Sequence, residues 1–236
     1  REFLHGQVRE LLTGYGQIDY LFFDYTYPEP TEGWPGKSAE DWDATGLLAL
    51  CRELQPRMLI NDRLGVPADF VTPEQYQPSA PLVREGRPVT WEACQTMNGS
   101  WGYHRDNLDY KPSSQLLQML AESVSCDGNM LLNIGPDGRG AITGRDRATL
   151  TEIGDWMELH SGAIRGAGAA GLTPPREGVY TRRGDRLYLH LLRWPLGFVH
   201  CPGLAGRVSY TRLLHDGSWL RTSVADPEQP ASHLIP

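Results

Sequence analysis

The run "IDYLFF" (18–23) ends on an acid, Asp24, and the chain then enters a cluster of aromatics and prolines, "YTYPEP" (25–30). A buried strand has no use for a charge, so a carboxylate at its end is a cap, an ion-pair partner or a reactive group. Two more acids lie downstream, Glu74 in a Pro-rich loop and Glu92 in "VTWEACQT" (89–96). Glycoside hydrolysis needs two carboxyl groups facing one bond. One is ionised at the anomeric carbon, and the other holds a proton for the leaving oxygen. Acids on separate strands are also ordinary in α/β proteins, so the pairing alone is a weak pointer. Tyr25, Tyr27, Trp34, Tyr76, Trp91, Trp101 and Tyr103 fall in or near the same segments. Sugar rings pack C–H faces on such planes, although a core has equal use for them.

The elements that must position these groups can be read from periodicity. Residues 1–14 place Phe3, Leu4, Val8, Leu11 and Leu12 at helical spacing, with Gly14 where a helix would stop. Residues 18–24 then read as a buried strand. A helix is predicted over 38–56, with Ser38 as N-cap and Pro56 as the stop. A strand follows over 57–62, ending in Asn61 and Asp62 with Arg63 next. A short strand is predicted over 89–96, a helix over 113–126 capped by Ser113 or Ser114, and a strand over 129–136 with Asn133 near its end. A long amphipathic helix covers 143–164, with Leu150, Ile153, Trp156 and Met157 on one side. Alternating strands and helices imply a parallel sheet with helical crossovers. No GxGxxG or phosphate loop supports nucleotide binding. A barrel is the alternative to an open sheet, because its reactive groups sit at the C-terminal ends of strands, as Asp24, Asn61–Arg63 and Asn133 would.

Residues 167–175 are small, Gly-rich and Pro-terminated, so they read as a linker. Beyond them, 176–236 alternates around the turns "RRGD" and Asp216-Gly217, the signature of antiparallel hairpins.

The 236 residues carry a net charge of −7, which argues against a nucleic-acid partner. No apolar run approaches the ~20 residues of a membrane span. The four cysteines form no CxxC and show no metal-ligand spacing, so they read as buried thiols, with one disulfide left open. The chemistry calls for no metal or other cofactor.

Five stretches in order resemble one family, the family-29 glycoside hydrolases or α-L-fucosidases. They are "YGQIDYLFFDYTYP" (15–28), "LQPRMLINDRLGVPADFVTPEQY" (54–76), "TWEACQTMNGSWGYHRD" (90–106), "LAESVSCDGNMLLNIGPDGRGAI" (120–142) and "LTEIGDWMELHSGAIRG" (150–166). The resemblance implies a (β/α)8-like TIM barrel, incomplete at its N-terminus, over 1–166. A small antiparallel β-sandwich would follow over 176–236. It also implies retaining hydrolysis of terminal α-L-fucosyl residues on a fucosylated oligosaccharide or glycoconjugate. Asp24 is then the nucleophile and Glu74 the acid/base, with Glu92 as the alternative. Arg63 would donate to the sugar, Trp101 would pack near its methyl group, and Tyr25 and Trp91 would line the pocket. Tyr25 stands where the family often has Gly. The family's adjacent histidine pair is not in this chain, which begins at Arg1 one helix before the nucleophile strand. The missing barrel half is therefore expected from a longer chain. The competing reading is a catalytically incomplete fragment or a sugar-binding relative of a fucosidase.

Overall fold

The computed structural model describes residues 1–224 and 232–235. They form two compact units, Arg1–Pro73 with Val83–Glu92, and Glu74–Leu82 with Ala93–Pro236. These divisions differ from the boundary that composition suggests at 167–175.

The first unit begins with helix α1 (Glu2–Gly14) and strand β1 (Tyr20–Leu21). The helix expected over 38–56 is two helices, α2 (Ala39–Trp42) and α3 (Ala44–Leu54). They part at Asp43, whose φ of 51° lies in the left-handed region. Asp41 anchors the entrance, its carboxylate accepting from the Ser38 N–H at 2.7 Å and from the Ser38 hydroxyl at 3.0 Å. Those bonds hold the Asp41 carboxyl below the usual range. Strand β2 (Leu59–Ile60) pairs in parallel with β1, Tyr20 opposite Leu59 and Leu21 opposite Ile60. A hairpin, β3 (Val83–Arg84) with β4 (Arg87–Pro88), follows.

The helices cover one face of β1 and β2. Val8 and Leu12 of α1, Leu47, Leu50 and Cys51 of α3, and Met58, Ile60 and Leu64 form one buried cluster. Leu21 and Phe23 pack against it. Burying each such aliphatic side chain is worth about 1.5–3 kcal/mol. Alternation sends Tyr20 and Phe22 to the opposite face. There Tyr20 stacks on Phe22 at 6.4 Å and on Phe70 at 5.2 Å between ring centroids.

Strand β5 (Glu92–Thr96) leads into the second unit, where it shares a two-stranded sheet with β6 (Asn129–Asn133). Helix α4 (Ser113–Ser125) and helix α5 (Gly144–His160) pack beside β6, with Met97, Leu116 and Met119 buried among Leu132, Ile134 and Ile153. Pro112, rather than a serine, occupies the N-cap of α4. Thr143 caps α5, its hydroxyl oxygen accepting from the Asp146 N–H at 3.2 Å.

The stretch expected to be a linker contains β7 (Gly168–Ala169), which joins a three-stranded antiparallel sheet with β8 (Gly178–Arg183) and β9 (Arg186–Leu191). The turn between β8 and β9 uses Gly184 at φ 61°. Strand β10 (Val199–Pro202), the hairpin β11 (Thr211–Arg212) with β12 (Trp219–Leu220), and β13 (Ser223–Val224) with β14 (Ser232–Ile235) complete the antiparallel part. Residues 225–231 and 236 of the expected β-sandwich lie outside the described residues. All four cysteines are buried thiols.

The β8–β9 sheet contains one titratable group with a defined consequence. Thr181, fully buried, donates its hydroxyl proton to the Ala163 carbonyl at 2.7 Å. Its oxygen therefore accepts from His190 Nε2 at 2.9 Å, which places a proton on Nε2. Burial lowers the His190 pKa from 6.5 to about 4. Below 6.5 the unfolded chain takes up a proton that the folded chain refuses. Stability is thus complete above that value and declines as pH falls toward 4, by up to roughly 3 kcal/mol. His190→Gln, which keeps a donor for Thr181, should flatten this part of the curve. Urea unfolding of both forms between pH 7 and pH 4 measures the difference.

Candidate active site

Asp24 stands just past β1, where the strand ends abruptly. The cause is a side chain. Asn61 is fully buried, and its amide grips both polar groups of the Phe23 backbone. The Phe23 N–H donates to Asn61 Oδ1 at 2.8 Å, and Asn61 Nδ2 donates to the Phe23 carbonyl at 2.8 Å. An asparagine thus replaces the ladder one residue before the acid. Tyr25, one residue after it, lies at φ 71°, a region costly for a residue with a Cβ. This geometry accounts for glycine as the cheaper choice at the position. Between the clamp and this turn, Asp24 is lifted off the wall with its side chain 44% exposed.

Arg63 meets it there. Its Nη1 lies 3.3 Å from Asp24 Oδ1, and its guanidinium sits over the Phe22 ring with Cζ 5.3 Å from the centroid. Arg63 thus pairs with Asp24 across the two strand ends. Asp62 accepts from the Thr72 hydroxyl at 2.8 Å and faces Arg84 at 3.6 Å. A half-exposed pair contributes about 1 kcal/mol or less, so its value lies in orienting two charges. The Thr26 hydroxyl donates to the Arg63 carbonyl at 2.5 Å and accepts from Trp42 Nε1 at 3.1 Å, which ties the loop after Asp24 to the segment bearing Arg63. Tyr25 and Tyr27, both exposed, meet edge to face at 6.2 Å beside the acid.

Glu92 belongs to the same unit. Its Oε1 accepts from the Tyr20 phenol at 2.6 Å. Trp91 next to it, expected to line a sugar pocket, is fully buried in this chain. Alternation along the strand explains the difference, since neighbours point to opposite faces.

In the second unit, Glu74 pairs in parallel with Cys94, and the Gln75 N–H donates to the Cys94 carbonyl at 2.9 Å. Gln75 itself has φ 51° and donates from Nε2 to the Thr96 hydroxyl at 2.8 Å. Glu74 is therefore a bridged residue just before a left-handed backbone position, and it is exposed. Trp101, partly exposed, is held from below: Asn133 Nδ2 donates to its carbonyl at 2.7 Å. A Cβ on Gly135 would lie 2.8 Å from the Gly102 carbonyl group, so only glycine permits that approach.

Sequence reasoning placed Asp24 and Arg63 in one site, and the structure brings them together. It missed Asn61, Tyr20 and Gly135 as the residues that hold the others. The signal for Asn61 was present, a polar residue at the end of an apolar strand, but nothing in the sequence says that its amide turns back onto a neighbouring strand.

Asn61→Leu keeps the volume and removes the clamp, leaving two partly buried backbone groups without partners. A loss of about 2 kcal/mol is expected by chemical denaturation. At the adjacent turn, Tyr25→Val, branched at Cβ, should cost roughly 1–2 kcal/mol while Tyr25→Gly costs nothing or stabilises slightly.

The family model described as alpha-L-fucosidase matches residues 1–162. The plasma alpha-L-fucosidase of Homo sapiens is 32% identical over 146 residues, covering 57% of this chain and 30% of its own length. Among solved structures, alpha-L-fucosidase isoenzyme 1 from Paenibacillus thiaminolyticus superposes with a TM-score of 0.89 at 40% identity, over 99% of this chain and 57% of that one. The alpha-L-fucosidase from Vibrio sp. strain EJY3 gives 0.81 at 30% identity, over 97% and 40%. The chain thus spans about a third of the length of the curated relatives it matches and 40–60% of the solved ones. With the family model covering most of its length, the chain belongs to the alpha-L-fucosidase family.

Proposed function

We propose that this chain forms the C-terminal part of a (β/α)8 barrel over 1–166, with a small β-sandwich over 176–236. In this reading the protein to which it belongs removes terminal α-L-fucosyl residues from fucosylated glycans with retention. The observation that carries the reading is the Asp24–Arg63 pair at neighbouring strand ends, in a chain 40% identical to a bacterial alpha-L-fucosidase.

Register supports the barrel. Asn61 pairs with Phe70 and Val71 with Trp91, both in parallel, so four wall segments of the first unit follow one another from β1 to Trp91. Counting along these pairings, Phe70 is level with Phe22, yet it is Tyr20 that stacks on Phe70. Two residues of offset across two strand steps is the slant of an eight-stranded barrel with a shear of eight.

The chemistry then runs in two displacements. The Asp24 carboxylate attacks C1 of the fucosyl ring, and the leaving oxygen takes a proton from Glu74 as its bond to C1 breaks. The product is an ester between Asp24 and the sugar. Glu74, now a carboxylate, removes a proton from water as that water attacks C1. The ester bond breaks, L-fucose departs with its original anomeric configuration, and Glu74 is protonated again. Arg63 orients Asp24 and donates to the sugar. The exposed Tyr25 and Trp101 offer planes for its C–H faces. Glu74 is preferred to Glu92 because the segment that carries it, 61–76, is the one that resembles the family's acid/base block.

In the intact protein, Asp24→Gly should abolish turnover of an aryl α-L-fucoside. Glu74→Ala should lose about 10²–10⁴-fold on poor leaving groups and recover on activated aryl fucosides. If Glu92→Ala shows that recovery and Glu74→Ala does not, the acid/base assignment moves to Glu92. Activity untouched by Asp24→Gly removes the reading altogether.

A further inference from the structure

The Tyr20–Glu92 hydrogen bond joins wall segments that are not neighbours. From β1 the pairing passes to β2, then to the 70–71 segment, then to Trp91 and Glu92. In a flat sheet, three steps of about 4.8 Å would leave these side chains about 14 Å apart, each standing perpendicular to its strand. They meet at 2.6 Å, so the wall is curled and the bond closes its chord. The Tyr20 ring is fixed along its length by Phe22 and Phe70. Phe22, next along the same face, lies under the Arg63 guanidinium, which faces Asp24 at 3.3 Å. One continuous row therefore runs from Glu92 through Tyr20, Phe22 and Arg63 to Asp24.

We propose that Tyr20 is a positioning residue and that Glu92 serves as its anchor, the two forming a strut across the curved wall that fixes where β1 delivers Asp24. This deepens the hydrolase reading and rests on it for its catalytic consequence. The strut needs a hydrogen-bond acceptor at 92 and does not need a group that exchanges protons. An acid/base at 92 would need the reverse, so the amide variant separates the two roles.

The test uses the intact protein, an aryl α-L-fucoside and hydrogen exchange. Tyr20→Phe deletes the hydroxyl and keeps the ring. It should lower kcat about tenfold with KM within twofold and the pH profile unchanged in shape, because the reacting groups are intact but displaced. Glu92→Gln, still an acceptor, should keep both limbs of the pH profile and retain more of kcat than Glu92→Ala, which should match Tyr20→Phe. The double variant Tyr20→Phe/Glu92→Ala should be no worse than either single change. The amides of Phe23 and Leu59, bonded to Asn61 Oδ1 and the Asp19 carbonyl, should exchange faster in Tyr20→Phe and not in Glu92→Gln. Wild-type kcat in Tyr20→Phe overturns the proposal, as does loss of activity with loss of one limb of the pH profile in Glu92→Gln. If the wild-type protein hydrolyses no fucoside, the function reading fails by itself. Exchange then decides the strut: unchanged protection in Tyr20→Phe overturns it, and faster exchange upholds it.

Discussion

The site of the first unit depends on one asparagine. A strand that must deliver a carboxylate has to stop, and stopping leaves backbone groups without ladder partners. Asn61 resolves this by pairing with both polar groups of Phe23, as another strand would, while being fully buried itself. Its own backbone remains bridged to Phe70, so one residue pins the strand that carries Asp24 on one side and the next segment on the other. An apolar residue here would pack equally well and leave the end of β1 free to drift.

The same device recurs wherever the wall meets a loop. Gln55 accepts from the Ile18 N–H at 2.7 Å and donates to the Leu12 and Gly16 carbonyls at 2.9 Å, joining the end of α1 to the start of β1. Asp69 accepts from the Ile60 N–H at 2.7 Å and from Arg52 at 2.5 Å. In the second unit, Asn133 secures the carbonyl of Trp101. Amides such as Asn61 and Gln55, with a donor and an acceptor side by side, are suited to such sites because backbone groups leaving a ladder are themselves donor and acceptor pairs.

These substitutions explain what the sequence revealed and what it hid. The helices were legible because their apolar spacing, caps and stops are local properties, and α1, α4 and α5 fall close to their predicted ranges. The strands were legible as apolar runs but not in length. Residues 18–24 read as one strand, yet only Tyr20–Leu21 is laddered by backbone, because Asn61 takes over at Phe23. The break at Asp43 hid inside a good helical pattern, since an aspartate that turns left-handed differs in no periodicity from one that continues. The acids were legible as candidates because charge at the end of a buried strand needs a reason. Their partners were not: Arg63 lies 39 residues from Asp24 and Glu92 lies 72 from Tyr20, separations that no spacing rule spans.

Tyr25 shows how the two kinds of information combine. The resemblance to the family implies that glycine is frequent at this position, and by itself suggests only that a larger side chain would narrow a pocket. The φ of 71° supplies the cause, since a backbone turned this way favours glycine whatever surrounds it. A tyrosine retained at such a cost, exposed and set edge to face against Tyr27 beside Asp24, is strain of the kind that persists where a side chain has work outside the fold. A chain that accepts that strain next to its strand-end acid must hold the strand on both sides of it, and Asn61 and Thr26 are the residues that do so.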